Sequence, residues 1–157
     1  MGSKVINHFV TNDTKLLHKI SEPVDYHDSK LTGRLYALLH GTYRKMDGKM
    51  QGLAAIQIGL PYRAVLIRWK KGVDPFVAFN PRIVWKIGSK KSNEGCLSEG
   101  DTRYIVKRPR IAKIEWRDSD DNIYSMIVGY KKARIFCHEV DHLNGVLLSD
   151  IGEVADK

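Results

Sequence analysis

The spacing of apolar residues changes period along this chain, and each change predicts an element. Leu31, Leu35, Leu38, Leu39, Thr42 and Met46 recur at helical spacing and predict a helix over about 28–46, with that stripe turned to a core. Asp28 is a suitable N-cap, and Gly48 a suitable stop. Residues 5–26 show no such period and are punctuated by Pro23, so they read as extended or irregular.

Next comes "QGLAAIQIGLP" (51–61), small, apolar and bounded by glycines, with one amide, Gln57. The pattern then turns strand-like. "YRAVLIRW" (62–69) and "FVAFNPRIVWKI" (76–87) are rich in β-branched and aromatic residues, the second broken at Asn80-Pro81. Alternation through Ile111, Lys113, Ile114 and Trp116 leads into a polar turn at 118–122, and "IYSMIV" (123–128) reads as the returning arm of a hairpin. Gly129 ends the strands. A second helix is predicted over 130–143, stopped by Asn144-Gly145. Helix, several antiparallel strands, helix is an α+β order.

A length of 157 residues suits one domain, taken as 1–157. With 43% hydrophobic and 28% charged residues the chain can pack a core and stay in solution. No apolar run approaches the roughly 20 residues needed to span a bilayer. "MGSKVINHFV" has no apolar signal region, and Ile6 does not fit a myristoylation start at Gly2. The expectation is a cytoplasmic protein with no membrane partner.

A net charge of +8 suits either a polyanionic partner, nucleic acid or a ribosome surface, or a basic surface that only aids solubility. The clusters Lys70-Lys71, Lys90-Lys91, Lys107-Arg108 and Lys131-Lys132 are short and scattered. No nucleic-acid motif accompanies them, which favours the second reading. The two cysteines, Cys96 and Cys137, allow one disulfide. Without signs of secretion they read more readily as a metal ligand, a reactive thiol or buried small residues.

The densest chemistry is "CHEVDH" (137–142). On a helix, His138 and His142 stack on one face and can offer two imidazoles to one ion. Glu139 lies about 100° further round, placed to reach a water on that ion. This is the HExxH arrangement of two ligands and a general base. Catalytic sites of this kind usually take three protein ligands and leave one position open. Cys96, in "NEGCLSEG", is the candidate third donor. Alone it would read as a buried small residue; beside HExxH it reads as a thiolate ligand. Cys137 reads as core packing. Such a metal would turn water into hydroxide near neutral pH, with Glu139 carrying the proton. The oxyanion formed on a carbonyl would need donors. Gln57 and the Leu97 N–H are candidates, although Gln57 alone reads more readily as a surface amide.

"GLAAIQ" (52–57), "EGCLS" (94–98) and "HEVDH" (138–142), in this order and at these separations, resemble the three motifs of the peptide deformylases, and the similarity spans almost the whole chain. The resemblance implies antiparallel sheets packed around a central C-terminal metal-binding helix, with an N-terminal helix. It implies removal of the formyl group from N-formylmethionyl nascent peptides. It implies one divalent metal held by Cys96, His138 and His142, with iron(II) usual and zinc, nickel or cobalt accepted. Glu139 matches the general acid/base; Gln57 and the Leu97 N–H match the oxyanion donors. Gly52 and Arg103 match peptide-binding positions, and Gln51, Glu94, Gly95 and Arg134 are taken with them as lining the substrate's path.

The sequence departs from the family pattern in four places. Met50-Gln51-Gly52 stands where Gly-hydrophobic-Gly is usual, which puts side-chain selectivity in question. Cys137 stands where glutamine is usual, and Arg134 where the family tends to be apolar. The sequence also ends soon after Asp150, as in short phage-encoded or organellar forms. Two other readings compete. An HExxH metallopeptidase would need a third ligand after His142, where Glu153 is the only glutamate and no histidine follows. A degenerate deformylase-like module binding ribosomes or peptides would suit the charge but needs no general base.

Overall fold

The computed structural model describes residues 10–156. Two short or medium helices come first, α1 (Thr14–Leu17) and α2 (Ser29–Lys45). Three strands follow, β1 (Gly52–Ala54), β2 (Ala64–Ile67) and β3 (Phe76–Ile87), with a 3-10 turn, Ala55–Ile58, after β1. Then come β4 (Lys90–Gly95), a 3-10 turn (Leu97–Glu99), β5 (Arg103–Arg108), β6 (Ile111–Arg117) and β7 (Ile123–Gly129). Helix α3 (Tyr130–Leu143), the short α4 (Leu148–Ile151) and β8 (Glu153–Val154) close the described chain. The strands form two antiparallel sheets, ordered β1-β2-β3-β6-β7 and β4-β5-β8.

Helix α3 contacts strands of both sheets and is the centre of the fold. Ala133, Phe136, Cys137, Glu139, Val140, His142 and Leu143 are all buried, which a helix covered on most sides requires. The large sheet is covered on both faces at β2. Val65 and Ile67 pack toward Phe136 and Leu143 of α3, while Ala64 and Leu66 pack toward Leu35 and Leu39 of α2. Double coverage explains why "AVLI" is an unbroken apolar run rather than an alternating one. Trp116 locks the β6–β7 hairpin to the helix, stacked on Tyr124 at 5.2 Å and tilted against Phe136 at 6.0 Å.

Several expectations need correction. Within 5–26, residues 5–9 lie outside the described residues, but Thr14–Leu17 is a helical turn. Asp13 Oδ1 caps it by accepting from the Lys15 and Leu16 N–H groups. A four-residue turn has no room for an apolar period to show. The expected helix is present, capped by Asp28 Oδ1 accepting from Leu31 N–H at 3.0 Å. Leu38, however, is 41% exposed; Thr32 is the buried residue that completes the stripe. Asn80-Pro81 does not break the strand over 76–87. It makes a bulge, with Asn80 at φ 46° and the register to β6 shifting between Phe79 and Arg82. The Asn80 side chain is the reason the bulge is tolerated: its Oδ1 accepts from Val24 N–H and its Nδ2 donates to Val24 O and Tyr26 Oη. Gly129 does not end the strands, since β8 pairs with β5 beyond α3.

Candidate metal centre

Each candidate ligand is fixed by a different local rule. His138 and His142 sit one turn apart on α3, with ring centroids 5.2 Å apart. Cys96 follows the last residue of β4 and caps the Leu97–Glu99 turn, so the small sheet delivers the sulfur to the helix. One donor atom from each of the three residues lies within 4.8 Å of the others. Cys96 Sγ is 3.4 Å from His142 Nε2. Both cysteines are free thiols, so the disulfide alternative is not formed.

The surroundings orient these donors. Glu94 Oε1 accepts from His138 Nδ1 at 2.9 Å, which leaves Nε2 as that ring's available donor atom. Arg108 grips the same carboxylate through Nε and Nη2, both at 2.9 Å, and donates through Nη1 to Asp141 Oδ2 at 2.7 Å. Burial alone would raise the Glu94 carboxyl; the hydrogen bonds from His138 and Arg108 and the guanidinium charge outweigh it and hold it at about 2. Burial likewise disfavours an imidazolium at His138. Hydrogen bonding to Cys96 and Glu94 and the nearby Glu139 charge reverse this and favour positive charge there.

Glu139 is 4% exposed, and its Oε2 has no hydrogen-bond partner among the described residues. Burial pushes its carboxyl up to about 7, against a downward pull from His138. Strand β1 passes so close that a Cβ at Gly52 would stand 2.5 Å from Glu139 Oε1. Gln57 is 3% exposed, which removes the surface-amide reading. Its Oε1 accepts from Ala54 N–H at 2.9 Å, so its amino group turns toward Ser98 Oγ at 3.1 Å and Cys96 Sγ at 3.6 Å.

Above this floor opens a cleft of about 530 Å³ whose walls include Met50, Gln57, Leu97, Arg134, His138 and Glu139. Gly52, Gln51, Gly95 and Arg103 also line it. His142 is buried. Arg103 is tied to the rim, donating through Nε to Asn93 Oδ1 and through Nη2 to Asn93 O. Glu94 lines the cleft as well, and its carboxylate is bonded to His138 and Arg108, so it also supports a ligand.

Reasoning from sequence missed Ser98, Arg108 and Asp141. Arg108 had counted as half of a surface cluster, yet it is 4% exposed. The signal was the alternation of β5, where Val106 and Arg108 occupy the same inward face.

The donor set fits a divalent ion: one soft thiolate and two imidazoles suit iron, zinc, cobalt or nickel. Three protein donors beside an unpartnered buried carboxylate oxygen leave room for one further ligand. Cys96, His138 and His142 are the residues that would hold it.

Comparison with known proteins agrees with this geometry. The family model for polypeptide deformylase matches residues 6–155. A peptide deformylase of Finegoldia magna is 34% identical over 137 residues, covering 86% of this chain and 82% of the relative. One of Alkaliphilus metalliredigens is 35% identical, covering 89% and 92%. Among solved structures, the peptide deformylase of Thermotoga maritima superposes with a TM-score of 0.80 at 29% identity, over 90% of this chain and 93% of that one. With its fold, its motifs and these relatives in agreement, the chain belongs to the peptide deformylase family.

Proposed function

We propose that this protein removes the formyl group from N-formylmethionyl peptides of nascent proteins, using the cleft above Cys96, His138 and His142. One observation carries the reading. The three ligand candidates converge beside a buried, unpartnered carboxylate at the floor of a peptide-sized cleft, in a chain of this family. A structure of the Acinetobacter baumannii peptide deformylase, with a TM-score of 0.80 at 26% identity, holds Met-Ala-Ser. That tripeptide is what hydrolysis of formyl-Met-Ala-Ser leaves.

A divalent ion held here would supply Lewis acidity and lower the pKa of a coordinated water toward about 7. Glu139 takes the proton from the attacking water and returns it to the departing amine nitrogen as the carbon–nitrogen bond breaks, giving formate and a free N-terminus. The formyl oxygen gains charge as water adds. The Gln57 Nε2 group, aimed by the Ala54 N–H that holds its oxygen, donates to it. The Leu97 N–H, in the same wall, is the second donor. Glu94 and Arg108 keep His138 in one tautomer and orientation. Gly52, Gly95 and Arg103 line the path of the peptide.

Iron(II) is the physiological metal in this reading, and zinc, nickel or cobalt suit the same donors. The compartment is the cytoplasm, and the charge of +8 supports transient contact with the ribosome. Among the described residues no helix is long and apolar enough to cross a membrane. The metallopeptidase and binding-module readings are not favoured: Cys96 stands where a third ligand is needed, and a binder has no use for Glu139. Formate release from formyl-Met-Ala-Ser by metal-loaded protein tests the proposal; internal peptide cleavage without formate would reverse it.

A further inference from the structure

We infer that Gln51 and Arg134 form a specificity-determining pair that admits a first side chain ending in an oxygen acceptor. The inference rests on the deformylase reading and concerns the same cleft. Arg134 Nη2 donates to Gln51 Oε1 at 3.2 Å, joining the approach to β1 with α3. Both residues line the cleft.

Their position relative to the chemistry is set by the backbone. Gln51 precedes Gly52, the residue that lies against Glu139. Arg134 stands four residues before His138 on α3, about 6 Å along the helix axis and on the same face. A formyl carbon at the floor, near Cys96, His138 and Glu139, puts the first Cα two bonds away. A side chain of methionine length then reaches about one helical turn further, to the Gln51–Arg134 pair.

The walls there are mixed. Met46, Met50 and Ile135 are apolar and accept a methylene stem. Arg134 is half-buried, and among the described residues Gln51 is its one side-chain partner. Of its five N–H donors, Gln51 answers one, and the others are open to solvent or to a substrate acceptor. An apolar thioether tip covers these donors without answering them, which is unfavourable. A sulfoxide or carboxylate oxygen answers them, and a charged acceptor does so most strongly. Lys49 and Arg103 add positive charge to the cleft, and Asp101, Glu94 and Glu139 are acidic residues that line it too. Methionine sulfoxide, formed by oxidation of methionine, and glutamate are two sources of the same acceptor chemistry.

The test compares kcat/KM for formyl-Met-Ala-Ser, its methionine-sulfoxide analogue and formyl-Glu-Ala-Ser. Metal-loaded wild type, Arg134→Leu and Arg134→Lys proteins are used. The expected result is that wild type handles at least one oxygen-bearing peptide within about tenfold of the methionine peptide. Arg134→Leu lowers that ratio by about tenfold or more, and Arg134→Lys keeps part of it. Gain on the glutamate peptide alone marks a charge requirement; gain on both marks any oxygen acceptor. A wild-type ratio poorer than tenfold, or one that Arg134→Leu leaves unmoved, overturns the inference while methionine turnover upholds the deformylase reading. A wild-type ratio poorer than tenfold overturns the inference even if a variant does not fold. No formate from any of the three peptides overturns the deformylase reading and this inference with it.

Discussion

Gly52 lies directly against Glu139: a Cβ at position 52 would stand 2.5 Å from Oε1 and 2.7 Å from Cγ. The glycine is required there by closeness, since the Glu139 side chain occupies the volume any other side chain would need. Gly52→Ala must push the carboxylate aside. Displacement of a reacting group by about 1 Å costs on the order of a hundredfold in rate. We expect kcat for formate release to fall by about that factor, with far-UV circular dichroism and metal content kept. Unchanged kcat would show that Glu139 is free to yield and that its placement is not critical.

Removing the carboxylate is a cleaner cut. Glu139→Ala is expected to retain the metal and lose turnover, because no donor of the Cys96, His138, His142 set is touched. Loss of metal with this substitution, read by elemental analysis, would mean that Glu139 is itself a ligand.

Arg108 holds two buried or half-buried carboxylates, Glu94 and Asp141. Arg108→Leu strands the Glu94 charge in the interior and is expected to cost roughly 3–5 kcal/mol of folding stability in denaturant titration. Metal affinity should fall about ten- to a hundredfold as well, since His138 loses a firmly held partner. A stability change below about 1 kcal/mol would contradict the role given to this network.

His18 links α1 to α4. Its Nδ1 contacts Thr14 O at 2.7 Å and its Nε2 contacts Asp150 Oδ2 at 3.0 Å. The Thr14 carbonyl and then the Asp150 carboxylate raise its pKa above the ordinary 6.5. The contribution is therefore complete below pH 6.5 and disappears as pH rises through the raised folded value. The melting-temperature difference between wild type and His18→Gln should be largest near pH 5.5 and shrink toward pH 8.5. A difference that stays constant with pH would show that the imidazolium plays no part.

How much of this was legible beforehand depended on what each residue reveals by itself. His138, Glu139 and His142 were legible because a helix fixes their relation through a local period. Cys96 could be suggested but not positioned, since its meeting with α3 depends on how two sheets enclose that helix. Strands β4 and β5 went unseen because "KKSNEG" and "RYIVKR" look solvated, although Ser92, Glu94 and Arg108 point inward. A hydropathy pattern cannot reveal a buried ion pair, because each charge looks exposed until its partner is in place. For the same reason Arg108 was read as surface charge. Asn80-Pro81 looked like a strand break because the residues that satisfy Asn80, Val24 and Tyr26, lie more than fifty positions earlier.

Substituting the sulfur tests the ligand set chemically. Cys96→Ser replaces a soft thiolate by a harder, far less acidic donor, so metal content after dialysis should drop sharply. Full retention would exclude Cys96 from the set.

The most direct measurement is X-ray absorption at the metal edge of zinc-loaded protein. The account predicts one sulfur scatterer at about 2.3 Å and two imidazole nitrogens at about 2.0–2.1 Å, with one further light atom. A first coordination sphere without sulfur, or with a single imidazole, would contradict it.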